Sequence, residues 1–320
     1  MLESLEGDTM LDPLSLVRYD DEVVDDVRLQ GLGMLVSLAG HADAGQVSQQ
    51  IRRELLGKLD SELIASFDAD QLVNYRERRP QISLAADHFT DYAAPVIELH
   101  RLTDGLGTDF LFLTGSEPDF QWERFAAAVV LLARGLNVSL AAGIGAAPLP
   151  VPHTRRIGVT VHGNRPDFGQ GISTWNPSAQ IPAAAAHLVE MRLDADGRDV
   201  VGYDLHIPHY LADSEYPQAA VAALEFLGAA LGLGLPSDDL REAARKVEGQ
   251  IAEQVADAPD VQRMVANFEK RFDAHEPEAE RRSLLLTADE AVPDGEDLGT
   301  AAEAFLSSEA AKGDPDESGQ

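Results

Sequence analysis

The sequence predicts an α/β fold, a three-layer α/β/α core around a mostly parallel sheet with a helical extension at its C-terminal end. Three observations carry this expectation. Short apolar runs end abruptly in small or polar residues, helix-patterned stretches alternate with them, and after Pro236 only helical patterning remains. Strand alternating with helix is the signature of layered α/β domains.

Five runs read as strands. They are Met34 to Ala39, Phe110 to Thr114, Val138 to Ala142, Ile157 to Val161 and Gly202 to Ile207. Runs this apolar suit a sheet covered on both faces. Tyr75 to Ala86 is expected to add a further strand. The third run is expected to stop at Gly143-Ile144-Gly145-Ala146-Ala147-Pro148, a segment of loop-like composition.

Helices fill the intervals. Val47, Ile51, Leu55 and Leu59 recur at every fourth residue, one face of a helix. Asp119 is placed to cap a helix over Trp122 to Arg134, with Gly135 as its stop. Pro182 and Pro217 each precede Ala- and Leu-rich stretches, as proline does in a first helical turn. Beyond Pro236, Leu240, Ala244, Val247, Ile251 and Val255 mark one amphipathic helix. Asp257-Ala258-Pro259 breaks it, and Val261, Met264, Val265, Phe268 and Phe272 mark another. The expected organisation is a core domain over residues 1–236, a helical region over 237–307 and an acidic disordered tail over 308–320. The helical region holds the helical hairpin and one short docking helix around Leu298, Ala302, Phe305 and Leu306.

The chain carries a formal net charge of -30, which repels phosphate backbones and anionic lipid heads and argues against nucleic acid or membrane as partners. It has no cysteine, which excludes disulfides, thiolate nucleophiles and Cys-built zinc sites and fits a reducing compartment. The acidic start Met1-Leu2-Glu3-Ser4-Leu5-Glu6 lacks the pattern of a signal peptide, so a cytoplasmic location is expected. No phosphate-binding loop, zinc-protease motif or hydrolase elbow occurs. Gly143-Ile144-Gly145 has Pro148 where a dinucleotide fingerprint needs its third glycine. No cofactor and no metal are expected.

Polar residues gather at the predicted strand ends: Asp43, Glu117, Asp119, His153, Arg155, His162, Asn164, His206 and His209. In open parallel sheets ligands bind beyond the strands' carboxyl ends, and histidine moves protons near neutral pH. The alternative for each is a structural role, capping helices or tying loops together. Two basic islands, Arg76-Glu77-Arg78-Arg79 and His153-Thr154-Arg155-Arg156, suit either an anion or the chain's own abundant acids.

Several segments resemble the proteasome assembly chaperone two family, in its uncharacterised bacterial branch. They include Gly40-His41-Ala42-Asp43-Ala44-Gly45, Ile64-Ala65-Ser66-Phe67, Asn74-Tyr75-Arg76-Glu77-Arg78-Arg79-Pro80 and Gly115-Ser116-Glu117-Pro118-Asp119-Phe120-Gln121-Trp122. Further on they include Ala147 to Arg155, Val161-His162-Gly163-Asn164 and His206-Ile207-Pro208-His209-Tyr210. His41 departs from the family, whose members often carry an aromatic residue there. The resemblance implies a core similar to nucleoside phosphorylases and peptidyl hydrolases, together with self-association, and it supplies no catalytic set.

Two functions stand at this stage. The first is a self-associating protein-interaction or assembly factor without catalysis, its partners being itself and another protein. The second is an enzyme acting on a small anionic or nucleoside-like ligand. There Arg79 and Arg155 would hold the anion, His153 or His162 would act as general acid or base, and Asp43 and Glu117 would be further acid candidates. Asn164, His206, His209 and Asp119 would line the site.

Overall fold

The apolar runs form the middle of one eight-stranded sheet. A computed structural model describes residues 11–19, 26–169, 172 and 178–275 of the chain. The sheet takes up β1 (Val17–Tyr19), β2 (Met34–Ala39), β3 (Asp60–Phe67), β6 (Ile97–Thr103), β7 (Asp109–Ser116), β8 (Ala141–Leu149), β9 (Gly158–Gly163) and β10 (Val200–Pro208). Its order is β1-β3-β6-β7-β2-β8-β10-β9. The four central strands, β7, β2, β8 and β10, run parallel, while β6, β3 and β1 on one flank and β9 on the other run antiparallel. Two further strands, β4 (Ser83–Ala85) and β5 (His88–Thr90), pair only with each other, so the strand expected near Tyr75 to Ala86 is a separate hairpin.

Helices cover both faces. α1 (Val47–Lys58) and α5 (Pro217–Leu231) bury Ile51, Leu55, Ala219, Ala223 and Leu227 against Leu35, Phe112, Ile144 and Tyr203 on one face. α3 (Trp122–Gly135) and α4 (Ala185–Ala195) bury Phe125, Val129, Leu132, Val189 and Leu193 against Met34, Val36, Leu111 and Leu113 on the other. At roughly 1.5–3 kcal/mol for each large apolar side chain removed from water, these two layers are the main favourable term in folding. A four-residue helix, α2 (Ala69–Leu72), follows β3.

The helices expected after Pro236 are α6 (Asp238–Ala256) and α7 (Pro259–His275). α6 buries Leu240, Ala244 and Ile251, and α7 buries Val265. The short helix expected near Leu298 and the tail over 308–320 lie outside the described residues. The described residues up to Asp273 form one compact unit. Among the described residues, no helix is long and apolar enough to cross a membrane.

Two local expectations are corrected. Gly143 to Pro148 is strand, paired in register with Gly202 to Ile207 of β10, where a loop was expected. Asp119 does not cap α3, whose N-cap is Gln121 in a left-handed conformation without a side-chain cap bond. The Asp119 carboxylate instead accepts from the Asn74 amide at 2.5 Å and pairs with Arg78 at 2.5 Å, because the chain after α2 passes over the end of β7.

Candidate functional site

The strand-end residues do not share one surface, because β9 runs opposite to its neighbour β10. Gly163 pairs with Val201 at the start of β10, and Gly158 pairs with His206 near its end. Asn164 therefore lies at the amino ends of the parallel strands. Its side chain donates to Asp194 and to the Arg198 carbonyl, each at 2.8 Å, and accepts from the Val200 amide at 2.9 Å. It fastens the end of β9 to the turn before β10.

At the carboxyl ends, the polar groups are consumed in holding loops. Glu117 accepts from the His41 amide at 2.6 Å and from the Ala185 amide at 2.7 Å. Its carboxylate thus closes the β2 loop and caps α4, a favourable place for negative charge. Asp43 accepts from the Ser48 amide at 2.6 Å, and burial raises its pKa to about 6. In the first basic island Arg78 is the docked member, donating to the Ala39 and Glu117 carbonyls, whereas Arg79 is exposed.

The second basic island meets α7. Arg155 makes a two-point pair with Asp273, Nε to Oδ1 and Nη2 to Oδ2 both at 2.8 Å, and reaches Glu269 at 3.1 Å. Thr154 donates to the same Glu269 at 2.5 Å. His153 lies 2.7 Å from the Tyr210 hydroxyl, and burial lowers its pKa. The His209 ring packs edge-on against Phe268 of α7 with centroids 5.6 Å apart. His206 is turned to the other side, where its Nε2 meets Thr160 Oγ1 at 2.9 Å, so His206 and His209 do not converge. Arg79 and Arg155 lie in separate groups, and no anion clamp forms from them.

One candidate, His162, belongs to a cluster that the sequence reading did not assemble. It stands on the sheet face beneath α4. Its Nδ1 lies 2.8 Å from Glu190 Oε1, and its Nε2 lies 3.5 Å from Asp204 Oδ2. The same Asp204 oxygen lies 3.6 Å from Nε2 of His187, whose Nδ1 accepts from the Ala184 amide at 3.0 Å. Burial alone would lower the pKa of His162, but the nearby carboxylates of Asp204 and Glu190 outweigh it and raise it to about 10. Burial of Asp204 would raise its pKa, yet the two imidazoles hold it far below the usual carboxylate range. At His206 burial outweighs the opposing charge of Asp204 and pushes the pKa down to about 4.

Room for the cluster comes from glycine. A Cβ on Gly145 would collide with Asp204, and one on Gly202 would collide with His162 and Glu190. Glycine inside a strand marks such close approach, and this was the available signal. Around the cluster lies a pocket of about 550 Å³, partly open to solvent, whose remaining walls are mainly apolar. Among the described residues, no set of three or more His, Asp or Glu side chains is disposed to hold a metal ion.

A family model described as PAC2 family matches residues 37–255. Among solved structures, a Mycobacterium tuberculosis protein of unknown function is 42% identical, with a TM-score of 0.72 over 77% of this chain and 85% of its own. A Corynebacterium glutamicum protein of unknown function is 34% identical, with a TM-score of 0.77 over 84% of this chain and 99% of its own. A Mycobacterium tuberculosis proteasome-assembly chaperone homologue is 21% identical, with a TM-score of 0.66 over 74% of this chain and 99% of its own. No curated protein matches the chain.

Proposed function

The chain belongs to the PAC2 family, and from that membership we propose that it acts by binding protein, first of all a second copy of itself, rather than by catalysis. The observation that carries this reading is the hairpin of β4 and β5. Leu84 and Phe89 are directly paired across it, so they share one face, and they are 65% and 69% exposed. Ile82 at 50% and Tyr92 at 55% flank them. Strands of three residues in an isolated pair are marginal in water and gain stability when an apolar face is covered.

Charge selects the occupant. Arg76 and Arg79 are exposed at the root of this arm, on a chain whose net charge is -30. Acidic side chains of a second copy can pair with them locally, against the overall repulsion between two chains of this charge. The solved relative called a proteasome-assembly chaperone homologue supports, by analogy of fold alone, a further role in bringing other subunits together. We place the protein in the cytoplasm on the absence of cysteine.

Sedimentation velocity on the full chain tests the proposal. The wild type is expected to sediment as an oligomer of the 34.5 kDa chain, and a Leu84→Ser/Phe89→Ser variant as a monomer with unchanged thermal stability. A monomeric wild type, or a variant that assembles as the wild type does, would overturn it.

A further inference from the structure

One face of the sheet is filled unevenly under its two helices, α3 and α4. Beneath α3, the strands present Met34, Leu111 and Leu113, and the one small gap there is lined by apolar side chains alone. Beneath α4, β8 and β10 present Gly143, Gly145, Gly202 and Asp204, and the space is hollow. Glycine in a strand interior weakens the strand, and a carboxylate under a helix carries a desolvation cost. This arrangement costs stability and leaves a pocket partly open to solvent.

Its polar atoms do not fully satisfy one another. Asp204 Oδ2 stands 3.5 Å from His162 Nε2 and 3.6 Å from His187 Nε2, longer than hydrogen bonds of about 2.7–3.2 Å. His162 Nε2 is buried without a hydrogen-bond partner. Because His187 Nδ1 accepts from the Ala184 amide, its proton sits on Nε2 and faces Asp204. A group inserted here must accept from imidazole N–H and donate to a carboxylate. A hydroxyl does both. An ammonium cannot accept, and a carboxylate cannot donate and would meet Asp204 and Glu190. Elsewhere the pocket offers Val36, Leu38, Val189 and Leu193.

We infer that this pocket binds a small neutral molecule with an apolar body and a hydroxyl group, the hydroxyl seated alongside Asp204 and the imidazoles of His162 and His187. The site is independent of the arm and of self-association. Three probes of one ring size separate the chemistry: cyclohexanol, cyclohexylamine and cyclohexanecarboxylate. In the full chain, cyclohexanol is expected to shift the ring proton resonances of His162 and His187 in a saturable way, and the two charged probes are not. Ala186→Leu, which adds bulk from α4 at a half-buried lining position, is expected to abolish the shifts. Asp204→Asn keeps the volume and is expected to weaken cyclohexanol binding about tenfold. Should the Asp204→Asn chain fail to fold, the wild-type probe series and Ala186→Leu decide the question. Equal response to all three probes, no response to cyclohexanol, or shifts that survive Ala186→Leu would overturn the assignment.

Discussion

Arg155 and Asp273 face each other through two parallel hydrogen bonds, and this pair turns the most conspicuous basic island into a clamp on α7. An anion would have to displace a carboxylate already seated on the guanidinium in its preferred geometry. Arg155→Ala should therefore leave phosphate binding unaffected while loosening α7. Amide exchange in α7 should rise roughly 2- to 5-fold at low salt, the scale of an exposed ion pair, and the difference should shrink at high salt. Unchanged exchange, or a phosphate affinity lost with Arg155, would contradict the clamp.

The two histidines on the α4 face give stability opposite pH dependences. His206 is lowered from 6.5 to about 4, so between those values the unfolded chain binds the extra proton. Its contribution is present above pH 6.5 and is lost as pH falls toward 4. His162 is raised from 6.5 to about 10, so between those values the folded chain holds the extra proton. Its contribution is present below pH 6.5 and is lost as pH rises through 10. Urea unfolding across pH should show each loss as a fall of about a hundredfold or more in the folding constant. His206→Asn should remove the acid-side loss and His162→Gln the alkaline-side loss. A variant that keeps its wild-type slope contradicts the assignment of that residue.

Arg78 is expected to matter more for stability than either of its arginine neighbours. It joins the Ala39 and Glu117 carbonyls to the Asp119 carboxylate, and so holds the root of the arm on the ends of β2 and β7. Arg78→Ala should cost roughly 1–3 kcal/mol in chemical denaturation, the scale of orphaned polar groups. Lysine at this position lacks the fork and should not restore it. Arg79→Ala should lie near the wild type.

Periodicity made much of this legible. β2 and β7 are apolar on both faces, and α1, α3, α5, α6 and α7 each carry a stripe or a proline that marks them. The antiparallel flank was not legible, because β3 and β6 mix Glu62, Glu98, His100 and Arg101 with their apolar residues. Strand direction is not written in composition either. His162 and Asn164 looked like carboxyl-end residues until β9 proved to run the other way. Gly143 to Pro148 read as a loop because glycine and proline usually punctuate. Here Gly145 is a strand residue beside the Asp204 carboxylate. His187 and Glu190 lie on α4, Asp204 on β10 and His162 on β9, and only the packing of α4 on the sheet joins them.

The occupant of the exposed arm is read most directly by placing a photocrosslinking aromatic at Phe89, in the full chain at micromolar concentration. Covalent dimers whose crosslinked peptides both derive from this sequence are the predicted product. Recovery of monomer alone, with the probe joined only within its own chain, would contradict self-association through the arm.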